Sequence, residues 1–209
     1  MNSLTDLCLV LLILPGFVFL GSGRIRFGIG MLAFQGLLLG VLPFVSSFGS
    51  LTVREIIISV INIIVKGIVL PQLLKTAMEK TRTLREEKPF VPFSLSVFFG
   101  ILCLVISYWL TSRLPGITAT EDNLSVMVAF FNIFIGLFII MSRRQPLSQV
   151  LGYLILENGV YIFGISLAFE TPFLVELGIL LDVFVAVFVM GIVIFHISKI
   201  DDAHAERTR

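Results

Sequence analysis

Three side chains capable of acid–base chemistry lie deep within long apolar stretches of this sequence: Glu157, Asp182 and Lys66. A charged group at the centre of a bilayer costs about 3 kcal/mol or more, so such residues face a bundle interior or a water path and recur in proton relays. Glu157 falls about ten residues into its apolar stretch and Asp182 about ten into the next, roughly 15 Å deep at 1.5 Å per residue. Two acids at similar depth on consecutive helices point to proton handling. The alternative is a protonated Glu157 that only hydrogen-bonds a neighbouring helix.

The flanking residues repeat at helical spacing. Gln149, Tyr153, Glu157 and Tyr161 follow one another at i, i+4 and line one slowly turning helix face, with Asn158 beside the acid. Glu55, Ser59, Asn62 and Lys66 make a second stripe, spaced 4, 3 and 4. An unpaired ammonium at the depth of Lys66 is costly, so it pairs with Glu157 or Asp182, loses its proton, or snorkels toward the nearer interface. Pro71 lacks an N–H and is expected to free the carbonyl of Gly67 beside the lysine. Glu176 lies one turn into the last apolar stretch, which begins at Thr171-Pro172, and reads either as a mouth residue or as an anchor at headgroup level. Gln35, Asn132 and Gln149 read as amides that tie helices together.

The elements that must carry these residues are membrane helices. Of 209 residues, 57% are hydrophobic and 14% charged, and the mean hydropathy is +1.04, well outside the range of soluble domains. Uncharged runs of about 20 residues recur along the chain, each enough to cross a ~30 Å hydrocarbon core. The expected fold is an all-α, polytopic membrane helical bundle with about seven transmembrane helices. The spans are 4–21, 27–48, 54–75, 94–111, 123–141, 147–169 and 172–197, in a single transmembrane domain over 1–209 with a cytoplasmic loop at 79–92.

Alternation of those spans puts 12 basic residues on one side (Arg24, Arg26, Lys75, Lys80, Arg82, Arg85, Lys88, Arg143, Arg144, Lys199, Arg207, Arg209) and only Arg54 and Arg113 on the other. The positive-inside rule then places the N-terminus outside and the C-terminus in the cytoplasm. The leader Met1–Asp6 has no basic residue and one acid, the reverse of a signal peptide, so the first span is expected to remain as a helix.

Cys8 and Cys103 lie alone in separate spans without metal-ligand spacing and read as packing residues. His196 has no second deep histidine with which to hold haem. A parallel internal repeat relates spans one to three to spans five to seven. It aligns Gln35-Gly36 with Asn158-Gly159 and Asn62 with Asp182.

The segment Arg143-Arg144-Gln145-Pro146-Leu147-Ser148-Gln149-Val150-Leu151-Gly152, continuing to Leu156-Glu157-Asn158-Gly159, resembles the K-type subunit of respiratory complex I, over residues 123–199. That family has three helices, with a basic pair before the second and a carboxylate in each of the second and third, both serving proton translocation. Glu157 lies about one turn beyond the family's usual position, which Leu154 would occupy. One turn preserves the helix face. Asp182, or else Glu176, would stand for the second carboxylate. The stretches Leu156–Val160 and Leu174–Asp182 resemble more closely component E of membrane-bound hydrogenases of the hydrogenase-4 and formate hydrogenlyase type.

The resemblance implies a non-redox membrane-arm subunit of a hydrogenase or complex I-like assembly in a prokaryotic cytoplasmic (inner) membrane. Glu157, Asp182, Lys66 and Glu176 would serve a proton path, supported by Tyr153, Asn158, Asn62 and Gln149. It would have no catalytic centre, metal or cofactor of its own. Its implied partners are antiporter-like and quinone- or hydrogenase-anchoring membrane subunits in a hetero-oligomer, and the lipid bilayer, but not nucleic acid. Two further readings stay open: a stand-alone proton-coupled secondary transporter, and a purely structural assembly subunit.

Overall fold

A computed structural model describes residues 3–46, 53–81, 89–114, 123–166, 178 and 180–191. Among these the chain is helical and without strands. The elements are α1 (Ser3–Leu11), α2 (Leu14–Gly21), α3 (Ile25–Ser46), α4 (Val53–Asn62), a π-helical segment (Ile63–Val69), α5 (Leu70–Thr81), α6 (Phe93–Arg113), α7 (Asn123–Ser142) and α8 (Pro146–Ser166). A ninth helix, α9, covers Leu180–Gly191. Five stretches among the described residues are long and apolar enough to cross a membrane: Ser3–Gly21, Ile25–Val45, Ser59–Thr81, Phe93–Arg113 and Asn123–Ser142. The protein is an all-α membrane helical bundle.

Helix α8 is as long as these, with 21 residues, but carries Gln149, Glu157 and Asn158. It can do so because it is the innermost helix: Leu151, Leu154, Ile155, Glu157, Asn158 and Ile162 are all buried. Its most extensive partner is α7. A Cβ on Gly136 would fall 2.6 Å from the Leu156 nitrogen, so the missing side chain lets the two backbones approach. Around this pair Phe131, Ile135, Ile139, Leu151 and Ile155 form the centre of the main apolar core, joined by Leu20, Leu32, Leu70 and Leu74 from the first half of the chain.

Two prolines shape the remaining spans. Pro15, at the start of α2, has no N–H to give the preceding turn, and the first span breaks at Leu12–Ile13. Pro71 sits at the start of α5, directly after the π segment. The expected interruption at this proline is therefore a widening of the helix over Ile63–Val69 rather than a simple gap in the ladder: Leu70 N donates to Val65 O, five residues back. Extra residues per turn relieve the clash that a proline ring makes with the carbonyl four positions earlier, and such π turns often mark functional positions. The helix then continues to Thr81.

One end of the bundle is tied by Arg143. Its guanidinium donates to the carbonyls of Phe19 (3.1 Å) and Leu20 (3.2 Å) at the end of α2 and lies 4.6 Å from the centre of the Phe93 ring. At the same end Phe90 N donates to Ser142 O at 2.9 Å. Of the basic pair, Arg143 is thus buried and caps a helix terminus, while Arg144 is exposed over Phe90. Cys103 is buried in the main core and Cys8 packs, half-buried, against a second cluster around Leu9 and Leu12. Glu176, His196 and His204 lie outside the described residues.

Candidate functional site

The π segment delivers Lys66 to the interior. Gly36 on α3 makes this possible, because a Cβ there would sit 2.7 Å from the Lys66 carbonyl carbon and oxygen. With only hydrogen at that position, the π segment presses against α3 and its lysine reaches across to α8. Lys66 Nζ lies 2.6 Å from Glu157 Oε1 and 3.1 Å from Asn158 Oδ1. The ammonium also stands 5.5 Å from the centre of the Tyr161 ring. An ammonium has three donors, and here a carboxylate, an amide oxygen and an aromatic face surround it. Lys66 is 5% exposed and Glu157 2%.

One turn away, Asn62 Nδ2 donates to the Tyr161 hydroxyl at 3.0 Å. The two rungs, Asn62–Tyr161 and Lys66–Glu157, step four residues forward on one helix and four back on the other. The helices therefore run antiparallel, and the stripes Asn62/Lys66 and Glu157/Tyr161 face each other.

Asp182 on α9 completes the group. It is 7% exposed and lies close enough to feel the charges of both Lys66 and Glu157. Glu157 Oε2 and Asp182 Oδ1 are buried and have no hydrogen-bond partner among the described residues. An ammonium, a carboxylate and a carboxylic acid together are neutral, which is the charge state that costs least in a medium without water. Gly178 lies on the same side, its missing Cβ position 4.0 Å from Glu157 Oε1.

A chain of amides leads from the lysine in the other direction. Asn158 Oδ1 accepts from Lys66 while its Nδ2 donates to Gln35 Oε1 at 3.3 Å. Gln35 Nε2 donates to Asn132 Oδ1 at 2.8 Å and, at 3.5 Å, to Leu12 O at the break of the first span. Asn132 Nδ2 donates to Val128 O at 2.8 Å. Every amide in this chain turns its oxygen toward the ammonium and its NH2 away, so the aligned dipoles favour the positive charge. Buried ion pairs hold together only when such extra hydrogen bonds offset desolvation. Gln35 and Asn158, the pair aligned by the internal repeat, meet at the contact between α3 and α8.

The other sequence-selected residues fall nearby. Tyr153 is close enough to feel the charges of Glu157 and Asp182, and its ring lies 6.5 Å from that of Phe184. Gln149 Nε2 donates to Arg143 O at 3.0 Å. Both line a cleft of about 210 Å³ between α8 and α9, walled otherwise by Ile140, Val150, Phe184, Val185 and Phe188. The cleft runs from the Pro146 end of α8 to Tyr153, one turn short of Glu157. Among the described residues no group of His, Cys, Asp and Glu could hold a metal ion.

Two buried acids thus stand beside one buried lysine. Over 129 residues, the chain is 30% identical to a protein of Escherichia coli (strain K12) named hydrogenase-4 component E, the match covering 61% of this chain and 59% of that protein. The chain is similar to hydrogenase-4 component E. The component E of Shigella flexneri matches over the same extent. A longer match, 28% identical over 204 residues, covers 95% of this chain and 91% of the uncharacterized protein Rv0085 of Mycobacterium tuberculosis. No family model and no solved structure matches the chain. The chain thus spans a little under two thirds of the length of the hydrogenase-4 relatives, and nearly all of the mycobacterial one.

Proposed function

We propose that the protein is a component E-like, non-redox subunit in the membrane arm of a hydrogenase-type or complex I-like assembly, and that Glu157, Asp182 and Lys66 are one relay of its proton path. The observation that carries this reading is the buried Lys66–Glu157 ion pair with a second buried carboxyl, Asp182, close enough to feel both charges. In this reading Lys66 and the amide chain favour a negative charge beside them, and the two acids share one proton. Moving a proton in or out changes the charge of the group by one and so couples it to charges in neighbouring subunits. Tyr153, at the head of the cleft, offers a hydroxyl between that cleft and the acids, and Glu176 would serve at the outer mouth. The similarity to a hydrogenase component supports membrane partners; in this reading they include antiporter-like and hydrogenase-anchoring subunits, in a prokaryotic inner membrane, with the N-terminus outside and the C-terminus cytoplasmic.

Purification of the native assembly in mild detergent tests the context: hydrogenase and antiporter-like subunits should travel with this chain. Proton release coupled to redox turnover in membrane vesicles tests the relay. A Glu157→Gln, Asp182→Asn double variant should assemble and lose coupling. Wild-type coupling in that variant would sink the reading, and loss of assembly alone, with coupling intact in the complexes that form, would support the purely structural role. Solute transport by the isolated protein in liposomes would instead favour the stand-alone transporter.

A further inference from the structure

Away from the acids, α3 and the helix carrying Lys66 diverge to leave a cleft of about 340 Å³. Its wall is formed by Gly30, Ala33 and Gly67, and at one end stand Arg26, Lys75 and Gln72. Arg26, Gly30, Gln72 and Lys75 are all exposed. A Cβ on Gly30 would meet nothing within 4 Å, so this part of the groove is open rather than filled by a neighbouring helix. The polar end belongs to the basic side of the bundle, where Arg24 and Arg144 are also exposed. Among the described residues neither Arg26 nor Lys75 is in a salt bridge.

We propose that this cleft binds an anionic phospholipid, with the phosphate between Arg26 and Lys75, Gln72 donating to it, and one acyl chain lying along Gly30, Ala33 and Gly67. The charge pattern selects the occupant. Two cations and an amide donor at headgroup level fit a phosphodiester, and basic pockets between membrane helices bind anionic headgroups in this manner. From Arg26 to Ala33 the groove follows α3 for about 10 Å at 1.5 Å per residue, which an acyl chain can line but a free phosphate cannot use. Ile68 is exposed beside it and supplies apolar wall. The site is separate from the Glu157 cluster, so it stands whether or not that cluster relays protons.

The full-length protein, delipidated in mild detergent, is offered phosphatidylglycerol, phosphatidylcholine or glycerol phosphate, and binding is read by native mass spectrometry and by the shift in thermal unfolding. Phosphatidylglycerol should bind about 25- to 30-fold more tightly than phosphatidylcholine, roughly fivefold for each basic residue. The Arg26→Gln, Lys75→Gln variant should lose that preference while still binding phosphatidylcholine weakly. Gly30→Leu starts from a position whose Cβ meets no protein atom within 4 Å and extends into the groove, and leucine favours the helix; it should fold normally and bind both lipids at least tenfold less well. Equal affinity for the two lipids, binding of glycerol phosphate as tight as that of the lipid, or unchanged binding in both variants overturns the proposal. So does a Gly30→Cys variant in the assembled complex that crosslinks to another polypeptide rather than staying accessible to lipid-soluble thiol reagents, since the cleft is then a protein interface.

Discussion

Replacing Lys66 by methionine keeps the length and apolar stem of the side chain but removes the ammonium held between Glu157 and Asn158. Removing one partner of a buried ion pair costs about 3–5 kcal/mol, because the other charge stays behind unpaired. Lys66→Met should therefore destabilise the protein by about 3–5 kcal/mol. Glu157→Gln should cost less, since the amide oxygen still accepts from the ammonium. The double variant Lys66→Met, Glu157→Gln leaves neither charge, and it should be more stable than Lys66→Met alone, with a coupling energy of about 2 kcal/mol or more. The assay is unfolding by titration with a denaturing detergent, comparing all four proteins. Additivity of the two single changes within about 0.5 kcal/mol would refute the argument, because it would mean that the two side chains do not bear on each other in the folded protein.

Other consequences of the geometry can be checked with the same assay. Gly36→Val places branched carbons against the Lys66 carbonyl and should cost about 1–3 kcal/mol by overpacking. It should also lower proton coupling, although glycine carries no chemistry; wild-type behaviour would show that the close approach of α3 is dispensable. Asn132→Leu leaves Gln35 Nε2 with only the long contact to Leu12 O and should cost about 1–3 kcal/mol, less than the loss of Lys66. Arg143→Met strips the donors from the carbonyls of Phe19 and Leu20 and should cost about 2–3 kcal/mol, with faster proteolysis near the end of α2. An unchanged cleavage pattern would contradict the capping role.

Much of the site was legible because membrane burial makes polar residues conspicuous and helical spacing sorts them into faces. Asn62 with Lys66, and Glu157 with Tyr161, are each four apart, and both pairs lie on the two faces that meet. Depth alone could not say which acid takes the lysine, since Glu157 and Asp182 lie equally far from their helix starts. Packing decides it: Gly36 brings the π segment against α3, and Lys66 then meets α8. The π turns themselves have no signature in side-chain periodicity beyond Pro71 at their end.

Gln35 and Asn132 each read as a separate tie between helices, and Asn158 as a polar support beside Glu157. That they form one chain with a common dipole direction depends on how four helices cross, which spacing within any one helix does not encode. Arg143 looked like a loop charge because its sequence neighbours are polar. The carbonyls it caps, those of Phe19 and Leu20, lie more than a hundred residues away, at the end of a helix broken early by Pro15.

The central claim is that a proton is held between Glu157 and Asp182 beside a charged Lys66. Infrared spectroscopy of the wild-type protein at neutral pH, compared with Asp182→Asn and Glu157→Gln, tests it most directly through the carbonyl stretch of a protonated carboxylic acid. The account predicts one such band that shifts in deuterium oxide, vanishes in Asp182→Asn, and persists with altered frequency in Glu157→Gln. A wild-type spectrum showing no buried protonated acid, or a band untouched by either substitution, would contradict it.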